Sequence, residues 1–570
     1  MVGPEDRPIR SGVLFTRQSP VGRLRFRGPL TAVLVAVLAV GAAIWLLAGA
    51  APDLSRRHVV AGGVPLDEVH PAGVPAGERR PGVVVAHGFA GSARLMAQFG
   101  DTLAARGYVV VLLDFSGHGA NTRPLPDATA STGASTTALQ HDLDVAMTHL
   151  RGLSDVDPAR VALVGHSMGA TEVIRYALAH PEVTATVAIS MPDSSFVPPQ
   201  RPARLLLLAG GLEFPGFRAA AKHAAEEGGG DRSAVVVPGV EHISILYAPR
   251  THREVVTWLD DSFGGPLSTA AIPSPMRRVV GAGLLLLTLL AGLYPVTRVV
   301  LGSGRRDWPR LDVPQLGRVI PVAAVAAAVA TPLARIAPTI RLPLALGGYV
   351  VGFLTAAGAA LFAYQRWRGS TPPTPTPITQ PNKHASTPSP AMPITQPNKH
   401  ASTPSPPAPT TQPNKHGSTP PTPTPITRPN RRRLAIAAPV LIGYAAATIA
   451  VPLQLGLTNA VPVGARWWLL AAVWAGFAVL AYAAERVTNG NSFGVLAVSA
   501  VAVIGLTFAA VVGLASSFLL LIVPLLAILL LWQAIWSAVL NRFSTPPWLI
   551  SLVGSLLVAW PIATALPVIG

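Results

Sequence analysis

Ser167 has the surroundings of a nucleophile. It is the centre of a Gly-x-Ser-x-Gly pattern, from Gly165 to Gly169, which follows the apolar run Val161–Val164 and precedes a helix-forming stretch, Ala170–Ala179. Glycines on both sides of a serine let the backbone turn sharply enough to expose that serine at the end of a strand. The pattern therefore predicts a reactive serine at a strand-to-helix turn.

A second Gly-x-Ser-x-Gly pattern surrounds Ser492, from Gly490 to Gly494. No β-type run precedes this pattern, and it lies between two long apolar segments. We interpret Ser492 as a serine in a loop between membrane segments. Because the five-residue pattern occurs twice, the elements around each serine must distinguish the two.

Backbone N–H groups that could hold a negative oxygen lie near Ser167. The apolar run Val83–Ala86 leads into His87-Gly88-Phe89. Where a strand, a serine turn and a helix are combined in this way, the loop after the third strand supplies one N–H group, and the residue after the nucleophile supplies another. We predict that the N–H groups of Phe89 and Met168 form an oxyanion hole. The alternative for His87-Gly88 is an ordinary strand-to-loop turn.

A serine nucleophile needs a general base and an acid that orients the base. His242 follows a late β-type run and is the predicted base, with His252 as the alternative. Glu213 comes directly after the penultimate β-type run and is the predicted acid, while Asp193, one strand earlier, is the alternative acid. The chain order of serine, acid and histidine agrees with the order expected for this architecture.

Residues 52–265 predict an α/β domain with a mostly parallel sheet and helices on both faces. The predicted strands are Gly82–Ala86, Tyr108–Asp114, Val161–Gly165, Thr186–Ser190, Arg204–Ala209 and Ala234–Pro238. The helical stretches between them include Ala93–Arg106, Thr137–Arg151 and Phe217–Glu227.

The rest of the chain predicts an all-α polytopic membrane domain. Charged residues make up only 12% of the sequence, and the mean hydropathy is +0.45. Apolar segments of spanning length predict about nine helices in total. These segments are 30–51, 279–301, 317–337, 343–364, 434–453, 467–484, 495–515, 517–540 and 548–569. We interpret the first as an uncleaved anchor, with a signal peptide as the alternative.

Basic and low-complexity segments complete the division of the chain. Residues 1–29 are rich in arginine, and residues 365–433 contain a proline- and threonine-rich repeat with a period of 16 residues, which predicts a disordered linker between the helices of 279–364 and 434–570. Arginine placement predicts a cytoplasmic N-terminus and an extracytoplasmic position for 52–265 in a cell membrane. We attribute the net charge of +17 to basic residues in cytoplasmic segments, and we predict no nucleic-acid partner. No cofactor or metal is predicted, and cysteine is absent.

Residues 59–262 resemble the α/β-hydrolase superfamily, and the dienelactone-hydrolase-like and lipase-like members are the most similar. The matching motifs are His87-Gly88-Phe89, the run Asp114–Gly119, the serine motif and the late His242. The resemblance implies a doubly wound sheet and a serine hydrolase that forms an acyl-enzyme. Two departures are a glutamate as the acid and a serine where dienelactone-hydrolase-like proteins use cysteine.

Only about a dozen residues separate Met191 from Arg204, four of them prolines, which leaves no room for an inserted cap domain. We expect a cleft that is open, or covered by the membrane domain or the bilayer surface. The expected function is hydrolysis of a small-molecule or lipid-like ester. The alternative is a transporter or permease-like protein with an accessory or inactive hydrolase-fold domain, which the few charges at span ends (Arg298, Arg318 and Arg335) support poorly. The sequence does not predict the oligomeric state.

Overall fold

The structure is a computed structural model that describes residues 28–49, 53–75, 77–127, 132–304, 306–370 and 430–570. The basic segment 1–29 and the repeat linker 365–433 fall almost wholly outside these residues. The limits of the segments predicted from the sequence therefore stay predictions.

One eight-stranded sheet forms the centre of the α/β part, with the strand order β1-β2-β4-β3-β5-β6-β7-β8. The first pairings, β1 with β2 and β2 with β4, are antiparallel, and all the others are parallel. The strands are β1 (Ser55–Ala61), β2 (Val64–His70), β3 (Arg80–Ala86), β4 (Val109–Leu113), β5 (Val156–His166), β6 (Ala185–Ile189), β7 (Leu205–Gly210) and β8 (Arg232–Val237). The predicted mostly parallel sheet is confirmed, and each predicted strand is present.

The β1–β2 hairpin was not predicted. Its first strand is mostly exposed and lacks an apolar run, because an edge strand buries little of its surface. Gly62 and Gly63 form the turn, both with positive φ, as a tight hairpin requires. This Gly-Gly pair was the available sequence signal.

Helices cover both faces of the sheet. Strands such as β4 are buried along their whole length, because apolar side chains on both sides of the sheet pack against helices. The helices of this part are α2 (Ala97–Ala105), α3 (Gly133–Gly152), α4 (Met168–Ala179), α5 (Pro215–Glu226) and α6 (Pro249–Ser262). The predicted doubly wound α/β architecture is confirmed.

Among the described residues, nine helices are long and apolar enough to cross a membrane. They are α1 (Gly28–Ala48), α7 (Met276–Leu301), α8 (Val313–Ile336), α9 (Gly347–Ser370), α10 (Arg431–Gly456), α11 (Arg466–Val487), α12 (Ser492–Val511), α13 (Leu519–Arg542) and α14 (Pro547–Ala565). The predicted number is confirmed, and the chain is a multi-pass membrane protein by the length and composition of these helices. Residues 512–518 separate α12 from α13, whereas the predicted segments 495–515 and 517–540 left only one residue between these two helices.

The chain divides into two compact units. The first contains residues 1–292, 447–467 and 564–570, and therefore the whole sheet together with two short pieces from later in the chain. The second contains residues 293–446 and 468–563 and is helical in its described residues.

Candidate active site

Ser167 lies at a sharp turn between the end of β5 and the start of α4. Its backbone has φ 53° and ψ −115°, a conformation that few residues other than glycine adopt. A Cβ on Gly165 would lie 2.3 Å from the carbonyl oxygen of Gly169, and one on Gly169 would lie 2.5 Å from the carbonyl oxygen of His87. Both glycines are therefore required by the close approach of backbone segments around the serine.

Three predicted side chains meet in one hydrogen-bonded line. The Nε2 atom of His242 lies 3.0 Å from the Oγ atom of Ser167. The Nδ1 atom of the same ring lies 2.7 Å from Oε1 of Glu213. The other carboxylate oxygen, Oε2, accepts a hydrogen bond from the N–H group of Gly210 at 2.7 Å. Glu213 is therefore fixed to the end of β7 and orients the imidazole towards the serine.

Neighbouring rings hold the loop of His242. His166 Nε2 lies 2.9 Å from the carbonyl oxygen of His242, to which it donates, and the two ring centroids are 4.8 Å apart. The ring of Phe217 lies 4.8 Å away on α5. Burial lowers the pKa of His166 well below its usual range, so the His166 ring is neutral at physiological pH.

Neither alternative residue joins this line. The carboxylate of Asp193 accepts from the N–H and hydroxyl groups of Ser195, and the side-chain bond lowers the pKa of Asp193. His252 is buried in α6, with Nδ1 2.7 Å from the Thr102 hydroxyl and Nε2 2.9 Å from the Leu246 carbonyl oxygen. Burial lowers the pKa of His252 to about 4. His252 therefore stabilises the core of the domain.

The two predicted oxyanion donors lie on segments next to Ser167. A Cβ on Gly88 would lie 3.0 Å from the Cβ of Ser167, so the loop that carries Phe89 passes directly beside the serine. Met168 is the first residue of α4, and its N–H group has no acceptor within the helix. This end of the helix also carries the positive end of the helix dipole, which favours a negative oxygen.

His87 supports this loop as a neutral side chain. Its Nδ1 atom lies 2.8 Å from the carbonyl oxygen of Gly88, and its Nε2 accepts from the N–H group of Phe115 at 3.1 Å. Burial lowers the pKa of His87 to about 4, which is consistent with one donor and one acceptor nitrogen. His87 therefore links the loop after β3 to the loop after β4. An ordinary strand-to-loop turn, the alternative interpretation of His87-Gly88, would not require this link.

Sequence reasoning missed a set of residues from later in the chain that pack on these loops. The Thr458 hydroxyl lies 2.9 Å from that of Ser92, and Asn459 donates to Oδ2 of Asp114 at 3.1 Å. The guanidinium group of Arg466, which is buried, donates to the carbonyl oxygen of Gly117 at 2.7 Å. No local signal marks these residues, because their partners lie more than 300 positions earlier.

Residues 566–570 extend the same packing. Val568 donates its N–H group to the Gly117 carbonyl oxygen at 2.8 Å and accepts from the N–H group of Leu125 at 2.9 Å. Arg466 also donates to the carbonyl oxygen of Leu566 at 2.8 Å. The segment held in this way includes His118, whose ring centroid lies 5.8 Å from that of Phe89. The loop after β4 is thus fixed against the oxyanion side of the site.

Exposed apolar side chains flank Glu213 and His242 in the chain. Leu212 and Phe214, on either side of Glu213, are 68% and 58% exposed, and Ile243, next to His242, is 45% exposed. An apolar cavity of about 590 Å³ is lined by Val240 and Ser244 from the loop that carries His242, but not by His242 itself. Tyr247 of that loop and Met276, the first residue of α7, both line the cavity.

Ser492 is the first residue of α12 and not a loop residue as predicted. The preceding Asn491 caps the helix by accepting from the N–H group of Phe493 at 3.0 Å. Within the part of the second unit that the structure describes, the sequence contains no histidine. No described group of three or more histidine, aspartate or glutamate side chains could hold a metal ion.

Comparisons with known proteins match parts of this chain. A family model described as serine aminopeptidase, S33, matches residues 77–225. An uncharacterized protein of Mycobacterium tuberculosis is 33% identical over 139 residues, which are 23% of this chain and 46% of that protein. Cutinase 1 of Thermobifida cellulosilytica is 30% identical over 108 residues, which are 19% of this chain and 38% of the cutinase. The chain thus spans less than half the length of each of these relatives.

Solved structures also match part of the chain. An esterase of Pyrobaculum calidifontis is 16% identical, with a TM-score of 0.31, over 41% of this chain and 93% of the esterase. A crystal structure described as a membrane phospholipase A is 18% identical, with a TM-score of 0.30, over 41% of this chain and 97% of that protein.

Proposed function

We propose that the protein, whose α/β part has the α/β-hydrolase fold, is a membrane-anchored serine hydrolase that cleaves esters or related acyl bonds. The observation that carries the proposal is the line of hydrogen bonds from Ser167 through His242 to Glu213, with distances of 3.0 and 2.7 Å. Distances in this range allow proton transfer from a hydroxyl group to an imidazole.

In the first half of the reaction, the Ser167 oxygen attacks the substrate carbonyl carbon while His242 Nε2 takes the serine proton. Glu213 stabilises the imidazolium that forms, because its carboxylate accepts a hydrogen bond from Nδ1. The oxygen of the tetrahedral intermediate gains a negative charge, which the N–H groups of Phe89 and Met168 stabilise. The imidazolium then protonates the leaving alcohol, and an acyl-enzyme remains.

In the second half, water attacks the acyl-enzyme. His242 removes a proton from the water, a second tetrahedral intermediate forms, and the proton returns to the oxygen of Ser167. The products are a carboxylic acid, an alcohol and the free enzyme. No cofactor or metal takes part in this scheme.

The surroundings of the site favour a lipid-like ester as the substrate. The exposed side chains of Leu212, Phe214 and Ile243 give the site an apolar margin, and exposed apolar patches bind apolar ligands or lipid surfaces. The apolar cavity lined by Val240 and Ser244 also includes Met276, at the start of the span-length helix α7. The similarity to cutinases also favours an ester substrate.

In this proposal, residues 457–466 and 566–570 take the place of an inserted cap. The segment between β6 and β7, residues 190–204, contains no described helix or strand that could serve as one. The arginine distribution of the sequence favours an extracytoplasmic position for the catalytic domain. Ser167 would then work beside the bilayer to which α1 and α7 attach the domain.

Labelling with a fluorophosphonate probe tests the proposal on the full-length protein in detergent. We expect the wild type and the Ser492→Ala variant to be labelled equally, because Ser492 has no adjacent base. We expect no labelling of the Ser167→Ala variant. Equal labelling of wild type and Ser167→Ala, or no labelling of either, would refute the catalytic assignment.

A second measurement separates ester hydrolysis from the activity named in the matched family model. The same preparation is assayed with p-nitrophenyl esters of short and medium chain length and with aminoacyl p-nitroanilides. We expect ester hydrolysis to exceed anilide hydrolysis by about 100-fold or more, and to rise with acyl chain length, by about 0.8 kcal/mol per buried methylene at most. Faster hydrolysis of the anilides than of the esters would mean that the protein is an aminopeptidase and not an esterase.

A further inference from the structure

The second unit contains a polar cavity that the proposed hydrolase reaction does not use. Its volume is about 630 Å³, and it lies where five span-length helices end or begin. Gln365, Glu485 and Asn541 line it from the final turns of α9, α11 and α13, while Leu434 and Trp548 line it from the first turns of α10 and α14. Because these helices have the length of membrane spans, their ends lie near the level of the lipid headgroups.

The floor of the cavity contains an unusual carboxylate. Glu485 is the one acidic residue in the sequences of the nine span-length helices, and it is only 2% exposed. Its Oε1 accepts from the Ser537 hydroxyl, and its Oε2 accepts from the Asn541 amide at 3.0 Å. A carboxylate can accept about four hydrogen bonds, so these two leave acceptor capacity.

Glu485 lacks a salt bridge in the part of the chain that the structure describes. No described lysine, arginine or histidine forms a salt bridge with its carboxylate. An ionised carboxylate buried without a counter-charge is costly, and ionisable residues within membrane spans commonly mark binding sites. A cationic group in the cavity would supply the missing partner.

Two hydroxyl groups on the same lining also lack partners. Ser544 and Thr545 are 5% and 3% exposed, and in the described parts of the chain neither side-chain oxygen has a hydrogen-bond partner. Buried hydroxyl groups are normally satisfied, because leaving one unpaired costs about 1–3 kcal/mol. Both residues line the cavity, so a ligand with hydrogen-bonding atoms would satisfy them.

The mouth of the cavity has the opposite charge from the floor. The arginines Arg306 and Arg486 line it and are exposed. A guanidinium group binds phosphate through two parallel hydrogen bonds. Trp548, beside them, is also exposed, as is typical of a tryptophan at a membrane interface.

We propose that this cavity binds the phosphoethanolamine group of an aminophospholipid. The primary ammonium group pairs with Glu485 at the floor, and the phosphate contacts Arg306 and Arg486 at the mouth while the acyl chains stay in the bilayer. The hydroxyl groups of Ser544 and Thr545 complete the hydrogen bonds of the headgroup. A choline headgroup has no N–H donor for the carboxylate, and a glycerol headgroup has no cation, so both fit less well.

Lipid binding to the purified full-length protein in detergent, measured by native mass spectrometry, tests this proposal. Phosphatidylethanolamine, phosphatidylcholine and phosphatidylglycerol with identical acyl chains are compared. We expect the wild type to bind phosphatidylethanolamine about tenfold more tightly than the other two, which corresponds to about 1.4 kcal/mol. Equal binding of all three lipids would overturn the proposal.

Variants identify the side chains that cause the preference. Glu485→Gln should abolish the preference for phosphatidylethanolamine over phosphatidylcholine, whereas Arg306→Gln should weaken the binding of both lipids alike. Matched controls are Glu254→Gln on α6 and Arg335→Gln at the end of α8, neither of which lines the cavity. A preference that survives Glu485→Gln would contradict the role of the carboxylate.

A second variant covers the case in which Glu485→Gln does not fold. The double variant Ser544→Ala, Thr545→Val keeps the carboxylate and its two hydrogen bonds, and it should weaken phosphatidylethanolamine binding severalfold. Unchanged binding would overturn the proposed site. Free phosphoethanolamine is titrated in parallel, and binding of this compound without binding of the lipid would overturn the assignment to a bilayer lipid.

Discussion

Ser167 and Ser492 both lie between two glycines at the start of a helix, but the two helices begin differently. Asn491 caps α12 in the ordinary way, with its side chain bound to the N–H group of Phe493. Ser167 occupies the capping position of α4, yet its side chain makes no capping hydrogen bond and lies 3.0 Å from His242. The first N–H groups of α4 therefore remain available for an oxyanion, whereas α12 uses the corresponding group for its own stability.

The backbone distinguishes the two motifs further. Ser167 has a positive φ, and the glycines beside it touch backbone atoms of β3 and α4. A Cβ on Gly494 would meet a side chain, that of Thr488, at 2.6 Å. The first motif is thus fixed by the sheet, and the second by packing between helices of one unit.

The largest expected effect concerns Glu213, the proposed acid of the Ser167 site. Glu213→Gln should lower kcat for ester hydrolysis about 10³- to 10⁴-fold, because the imidazole loses the carboxylate that orients it and stabilises its cation. Asp193→Asn, the matched control at the alternative acid, should change kcat less than about twofold. Steady-state kinetics of both variants measure the difference. A larger loss for Asp193→Asn would reverse the assignment.

Low pH should inactivate the first unit, which contains Ser167, before it affects the second unit. Burial lowers the pKa of His87 and of His252 to about 4, and that of His118 and His166 well below 6.5, whereas an unfolded histidine has a pKa near 6.5. Folded pKa values below the unfolded one mean that stability is present above pH 6.5 and is lost as the pH falls towards 4. The loss is at most about 1.4 kcal/mol per pH unit for each histidine.

The measurement compares fluorophosphonate labelling after incubation at pH 4 to 7 with the helical circular dichroism signal. Labelling should fall first, because the described second unit has no histidine in its sequence. His223→Gln, at an exposed position, should leave the midpoint unchanged. Simultaneous loss of both signals would contradict this difference between the units.

Replacing the last glycine of each motif by alanine should destabilise the protein more at the Ser167 motif than at the Ser492 motif. Gly169→Ala places a Cβ 2.5–2.6 Å from two carbonyl oxygens of the backbone, those of His87 and Ala86, and should destabilise the domain by about 1–3 kcal/mol. Gly494→Ala meets side-chain atoms of Thr488 and, among its nearest contacts, no backbone oxygen, so it should cost less. The temperature of half-maximal loss of esterase activity reports the first effect. An unshifted temperature for Gly169→Ala would mean that the elbow is less tightly packed.

The smallest effect tests the packing of Arg466 on the loop after β4. Arg466→Met removes hydrogen bonds to the carbonyl oxygens of Gly117 and Leu566 and should lower kcat about tenfold, with a smaller change in KM. A positioning role predicts slower labelling of Ser167 at a temperature where the variant is still folded, and partial recovery in Arg466→Lys. Arg335→Met is the control. Slower labelling that merely follows thermal unfolding would indicate a structural role alone.

Sequence alone was informative wherever function and local structure coincide. The buried runs within β3 to β7 are continuous and apolar, and β8 is partly exposed but keeps the apolar run 234–237. These runs predicted the sheet, and the chemistry-bearing residues follow several of them directly. The lengths of the apolar segments predicted nine helices, because a membrane span needs a minimum number of apolar residues. Asp193 and Glu213 both follow strands, and sequence could rank them but could not measure which one reaches His242.

Tertiary structure decided what depends on residues far apart in the chain. Arg466 and Val568 contact Gly117, and Glu485 becomes the floor of a cavity formed by five helix ends, although nothing near these residues in the sequence indicates either role. Sequence patterns record the periodicity of single elements, whereas these contacts arise from the packing of elements that are distant in sequence. The Gly-x-Ser-x-Gly pattern itself was therefore determined by sequence, and the difference between its two copies by the fold.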